Sequence, residues 1–236
     1  MVAKRNVLRS MSIFPESGFY VSKLPSRLSA NVMDMLRDLC QTLGTQYFNS
    51  TITTDSGIIL DSICSAASNL NRLIRTVPSN AVEDKKQELM EDLRQVVPGA
   101  TNIFKNDVYF RFVSPNNTTT QSIVHRDLWF HSITQEWCFL PESMNVKLWI
   151  PLFYSQSEYG IGVVPGSHKS YPYDFEYINN QSIPSFIPHK CTSHALCPVK
   201  VPVGYGLVFP PTLLHGGLDI RNHSPRISCE ITLLVE

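Results

Sequence analysis

The sequence predicts a mainly β protein with N-terminal helices, its strands wound into a double-stranded β-helix barrel of the jelly-roll or cupin type. Three observations predict it. Apolar residues recur at helical spacing up to about residue 103, and from about 104 onward they fall in aromatic and β-branched runs. Loops rich in Pro, Gly, Ser and Asn separate those runs, a pattern that suits an antiparallel double sheet with helices packed on it. The 236 residues, 43% hydrophobic and 17% charged, fit one domain with a full core over 1–236, about 1–103 being mostly helical support and about 104–236 the jelly-roll core.

Each element has a local cause. Residues 28–43 place Leu28, Val32, Met35, Leu36 and Leu39 on one helical face, with Ser29 as the expected N-cap. Residues 58–77 repeat the period through Ile59, Ile63, Leu70, Leu73 and Ile74, and Pro78 stops them. Ser79 is expected to cap a third helix running to about Val97, ended by Pro98-Gly99, with Glu83, Lys86 and Glu91 on a solvated face. Phe104–Val113, Val146–Leu152, Gly206–Phe209 and Arg226–Val235 read as strands. Ser114–Gln121 and Ser170–Cys197 read as loops, the second long enough to be a lid or a binding loop.

Charge and cysteine content exclude several classes. Lys+Arg and Asp+Glu are 20 each, so there is no electrostatic footprint for nucleic acid or an anionic membrane. No run is long and apolar enough for a signal peptide or a spanning helix. The six cysteines are scattered with no CxxC, as in a chain with reduced thiols, and a cytoplasmic location is the expectation. Cys191 and Cys197 lie near His189 and His194, but without the tight ligand pairs of structural zinc sites; an ordinary polar loop is the better reading.

The chemistry concentrates at four residues. In Ser122-Ile-Val-His125-Arg-Asp127, an extended segment turns His125 and Asp127 to the same side, where they can reach one ion. An imidazole and a carboxylate are two of the three ligands in the 2-His-1-carboxylate triad, which leaves open positions on iron. His215, at the end of an apolar run preceded by Gly204 and Gly206, can supply the third. Arg226 opens the last strand, where a planar guanidinium can take a carboxylate through two parallel hydrogen bonds. Each of these residues alone has an ordinary structural explanation. Their conjunction is far more specific than any one of them.

On these residues the sequence resembles the phytanoyl-CoA dioxygenase family of iron(II)/2-oxoglutarate oxygenases. The resemblance is carried by His125-Arg-Asp127, Val146-Lys-Leu-Trp-Ile-Pro-Leu152, Gly160-Ile-Gly-Val-Val-Pro-Gly-Ser-His168 and Gly206-Leu-Val-Phe with His215, Asn222, Ser224 and Arg226. It covers roughly residues 104–236, with weaker likeness in the leading helices. It implies that His125, Asp127 and His215 bind iron(II), that Arg226 holds the far carboxylate of 2-oxoglutarate, and that Trp149 lines the cosubstrate pocket. Oxygen would be the second cosubstrate. His168 is implied to be a structural turn residue and not a fourth ligand. Many members of the family carry a hydroxyl residue two positions after the distal histidine; here that position is Gly217.

The resemblance implies a dioxygenase that hydroxylates a C–H bond of a small or medium organic metabolite, releasing succinate and CO2. Related halogenases carry a small residue where Asp127 stands, so hydroxylation, or desaturation in some relatives, is the expectation. A barrel that binds metal or ligand without turnover is the alternative. The expected partner is a small-molecule substrate, with no nucleic acid and no membrane; the sequence leaves substrate identity and oligomeric state open. The loops His131–Asn145 and Ser170–Cys197 are expected to cover the mouth, and Trp129, Phe130, His131, Trp137, Tyr171, Tyr173 and Phe175 are candidates to line it. Arg111 shares a strand face with Tyr109, and if that face turns inward it can bind an anionic group.

Overall fold

A computed structural model describes residues 14–43, 76–113, 124–127, 144–154, 159–169, 175–180, 183–188, 196–218 and 226–236. The elements are β1 (Tyr20–Lys23), α1 (Ser26–Leu43), α2 (Ser79–Val96), β2 (Ala100–Val113), β3 (Met144–Tyr154), β4 (Tyr159–Val163), β5 (Phe175–Asn180), β6 (Ile183–Pro188), β7 (Cys197–Lys200), β8 (Tyr205–Phe209), β9 (His215–Gly217) and β10 (Arg226–Val235).

Two antiparallel sheets face each other, as in a jelly roll. The larger runs β1-β8-β3-β10-β2 and the smaller β7-β4-β9. Strands next to each other in the larger sheet are far apart in sequence, so the last strand, β10, lies between β2 and β3 and carries Arg226 into the centre. A third, two-stranded sheet pairs β5 with β6, Asn180 opposite Ile183.

The period-2 alternation of the strands divides the larger sheet into two faces. One face carries Val108, Phe110, Phe112, Val146, Leu148, Ile150, Val208, Ile227, Cys229, Ile231 and Leu233, all buried in one cluster with the helices. From α1 come Leu28, Val32, Met35, Leu36 and Leu39, the five residues expected from the helical period, and from α2 come Val82, Leu89, Leu93 and Val96. Gly206 belongs to this face. A Cβ there would lie 2.6 Å from Leu148 Cδ1, so the strand admits only glycine while Leu148 stays where it is. On the opposite face Trp149, Leu207 and Phe209 pack against Ile161, Val163 and Val199 of the smaller sheet, with Val201 and Leu213. The same face carries the polar side chains described below.

Several boundaries differ from the sequence reading, for physical reasons. Helix α1 begins at Ser26, and Ser29 N donates to Pro25 O at 3.1 Å, so Ser29 sits inside the first turn and does not cap it. Pro78, in extended backbone, is the N-cap of α2 and Ser79 is its first residue, with no side-chain cap bond. The helix expected over 58–77 lies outside the described residues except at its end. There Thr76 bridges Tyr109 and Val77 N donates to Val108 O at 2.9 Å, an extended conformation that suits the residues before Pro78. Strand β2 starts four residues earlier than expected, at Ala100, and β1, β4, β7 and β9 were not anticipated. The segment Ser170–Cys197, read as irregular, contains the β5–β6 hairpin; Pro184 and Pro188 are tolerated because a two-stranded sheet has only edges. The face expected to be merely solvated on α2 carries a Lys86–Glu83 pair at 3.1 Å, and Glu91 joins Arg27 across to α1.

Candidate metal centre

His125 and His215 are brought together by the backbone. Each donates its N–H to the other's carbonyl, at 2.9 and 3.0 Å, so the HxD segment extends the smaller sheet beside β9. Their rings lie 4.4 Å apart between centroids, and Phe209 packs at 4.7 Å from the His215 ring. Asp127 faces both. Its Oδ1 is 3.5 Å from His125 Nε2 and 3.9 Å from His215 Nε2. One ligand atom from each of the three residues fits within 4.8 Å, and all three residues are buried. Among the described residues this is the group whose donor set suits a metal ion, and that set, two imidazoles and one carboxylate, is the one iron(II) oxygenases use.

The protonation states suit an ion. His215 Nδ1 lies 3.0 Å from Leu213 O, which places its proton on Nδ1 and turns the Nε2 lone pair toward Asp127. Burial, followed by the charge of His125, pushes the His215 imidazolium down to about 4, so the ring is neutral at pH 7. Burial opposes ionisation of Asp127, yet the Lys147 ammonium, helped by contact with the two histidine rings, holds its carboxyl well below the ordinary range.

Arg126, between the two HxD ligand candidates, turns the opposite way. It is buried and donates from Nη1 to the carbonyl of Ser167 at 2.8 Å and to that of Thr212. Ser167 Oγ in turn accepts from Leu214 N at 2.9 Å. The guanidinium therefore ties the HxD segment to the turn that delivers His215. His168 is fully buried beside Gly18, in the short helical turn Ser167–Lys169, and is not part of the metal group.

The inner face of the larger sheet continues the site. Arg226 is buried at the start of β10 and donates to Gly160 O of the facing sheet. Ser228, two residues on, is fully buried, and its hydroxyl has no hydrogen-bond partner among the described residues. Glu230 and Thr232 complete the row on β10. Across from them stand Arg111 and Tyr109 on β2 and Lys147 and Trp149 on β3, by the registers Ser228–Arg111, Glu230–Tyr109, Glu230–Trp149 and Thr232–Lys147. Arg111 thus faces inward, with Nε 3.1 Å from Glu230 Oε1. Burial works against its charge, and Glu230 more than offsets this. Trp149 is buried between the sheets with Leu207 and Phe209. Lys147, Glu230 and Ser228 were not singled out from the sequence. A charged or hydroxyl residue at every second position of an apolar strand was the signal available.

The loop candidates Trp129, Phe130, His131, Trp137, Tyr171 and Tyr173 lie outside the described residues. So do Asn222 and Ser224, the histidines and Cys191 of the weighed zinc reading, and the side chain of Phe175. Cys197, the remaining member of that reading, is exposed. No helix among the described residues is long and apolar enough to cross a membrane.

The fold and the three-residue centre fit an iron(II)/2-oxoglutarate oxygenase. A profile of the phytanoyl-CoA dioxygenase (PhyH) family matches residues 25–228, and the chain belongs to that family. Iron(II), 2-oxoglutarate and oxygen are accordingly its cofactors and cosubstrates. No curated protein sequence matches the chain. Solved structures share the fold at low identity. AviO1 from Streptomyces viridochromogenes Tue57 aligns at TM-score 0.50 and 16% identity, over 99% of this chain and 95% of its own. EvdMO1 aligns at 0.55 and 17%, over 100% of this chain and 50% of its own. EctD from S. alaskensis, solved with 2-oxoglutarate and 5-hydroxyectoine, aligns at 0.51 and 13%, over 96% and 75%.

Proposed function

We propose that this protein is a 2-oxoglutarate-dependent dioxygenase that hydroxylates a C–H bond of a small or medium polar metabolite, releasing succinate and CO2. The observation that carries the reading is the convergence of His125, Asp127 and His215 on one point, with Arg226 buried on the same inner face. Bound there, iron supplies the activation of oxygen, while the protein supplies geometry and a dry site. His125, Asp127 and His215 hold the ion. Arg226 takes the far carboxylate of 2-oxoglutarate, and Trp149 forms part of the wall. Ser228 is placed to give that carboxylate the hydroxyl contact that Gly217 cannot give.

The rest of the inner face favours a polar substrate. Arg111 is not an isolated cation, since Glu230 pairs with it, and Lys147 stands near Asp127. A group that offers both hydrogen-bond donors and acceptors suits this surface better than a bare anion or an acyl chain.

The test is anaerobic titration with Fe(II) and 2-oxoglutarate, followed by the weak visible metal-to-ligand charge-transfer band. The wild type is expected to show the band, and Asp127→Ala to lose or alter it. Arg226→Ala should need at least about tenfold more 2-oxoglutarate, because a charge-assisted hydrogen bond contributes roughly 1.5–3 kcal/mol, and Ser228→Ala should need a smaller excess. Metal binding with no band at any 2-oxoglutarate concentration would leave a non-catalytic barrel as the better reading.

A further inference from the structure

The two oxygens of Asp127 face different partners. Oδ1 faces the Nε2 atoms of His125 and His215, whereas Oδ2 lies 3.7 Å from Lys147 Nζ. Lys147 is a buried lysine on β3, between Val146 and Leu148, which point into the helix-side core. A lysine at such a position needs an anion to offset its loss of water. It has two on the inner face. Besides Asp127, Glu230 stands on the neighbouring strand one register step away and feels the Lys147 charge. Glu230 is held in turn by Arg111. The charges therefore alternate across the face as Arg111, Glu230, Lys147, Asp127.

Glu230 is held by Arg111, and the anion at ion-pair distance from Lys147 is one particular oxygen of Asp127. A carboxylate free at both oxygens can chelate an ion and use up a second coordination position. An ammonium on one oxygen competes with the ion for that oxygen alone. The side chains of Lys147 and Asp127 are only 11% and 13% exposed, so little water is at hand to replace the ammonium.

We propose that Lys147 is a positioning residue that holds Asp127 Oδ2 out of the metal's coordination sphere, so that Asp127 binds through Oδ1 alone and three positions stay open for 2-oxoglutarate and oxygen. The inference rests on the reading of His125, Asp127 and His215 as ligands.

The test uses the full chain loaded with Mn(II) alone, without 2-oxoglutarate. Pulsed EPR in deuterated water counts the exchangeable waters on the ion. An octahedral ion held by two imidazoles and a one-oxygen carboxylate keeps three waters. Wild type and Lys147→Arg are expected to show three. Lys147→Met, or Lys147→Gln if the methionine variant does not fold, is expected to show two, with the carboxylate closing on the ion. A merely structural lysine would change the melting temperature and leave the count alone. Two waters in the wild type, or three in a folded Lys147→Met or Lys147→Gln protein, overturns the proposal and leaves the ligand reading intact. Failure of wild type to bind Mn(II), or binding that Asp127→Ala leaves unchanged, overturns the ligand reading and this inference with it.

Discussion

Replacing Arg126 by methionine removes the link between the two halves of the candidate metal centre while leaving every candidate ligand in place. Its guanidinium donates to the carbonyls of Ser167 and Thr212, and Ser167 Oγ accepts from Leu214 N, one residue before His215. Hydrogen bonds from a charged donor contribute roughly 1.5–3 kcal/mol each, so the two together come to about 3–6 kcal/mol. Two terms of opposite sign modify this. Methionine spares the cost of burying a charge, which reduces the loss. The two carbonyls are left without their donor in a region that Arg126, buried itself, no longer fills, which increases it. The net expectation is a loss of about 3 kcal/mol, which in a chain of this length lowers the melting temperature by roughly 6–12 °C. His215 loses the support of its delivering turn, so Fe(II) affinity should fall more than tenfold even at temperatures where the variant is folded. Thermal denaturation followed by circular dichroism, paired with Fe(II) titration at low temperature, measures both effects. If Arg126→Met melts within about 2 °C of wild type and binds Fe(II) equally well, the guanidinium clamp is not what aligns the centre.

Two further substitutions separate fold from site. Phe110→Ala empties a fully buried position on the helix-facing side of β2, at a cost of roughly 3–5 kcal/mol. A melting curve should show a large downward shift, while the Fe(II)/2-oxoglutarate band of the folded fraction stays unchanged because the inner face is untouched. Gly18→Ala meets two obstacles: its φ is +84°, and the new Cβ would lie 2.2 Å from His168 Nδ1. His168→Ala added to Gly18→Ala should recover part of the lost melting temperature by removing the clash and leave the backbone strain of at least about 1 kcal/mol; no recovery would mean that the ring is not the obstacle.

The sequence made the outer half of this protein legible and the inner half only in part. The residues that face the helices obey a single rule, apolar at period 3.6 or period 2. Leu28, Val32, Met35, Leu36 and Leu39 were therefore recognisable, as were the strands that meet them. The candidate metal triad stood out for a different reason. His125 and Asp127 need to share a side of one short segment, and the partner His215 sits in its own glycine-bounded run. Lys147 and Glu230 obey neither rule. In VKLWIPL and RISCEITLLV they are single charged residues inside apolar strands, which sequence alone cannot distinguish from outward, solvated positions. Only the register that sets Glu230 opposite Trp149 and Tyr109, and Lys147 beside Asp127, shows that the charged side of each strand is the side that faces His125, Asp127 and His215. That also settles the direction left open for Arg111. The strand alternation was visible from the start, but its sign depended on which face the helices cover, and Phe110, Phe112 and Val108 packing against α1 and α2 decide it. Once the helices take one face, Arg111, Lys147 and Glu230 at the alternate positions are turned toward the centre. There each can persist only with a partner of opposite charge or with a ligand that provides one.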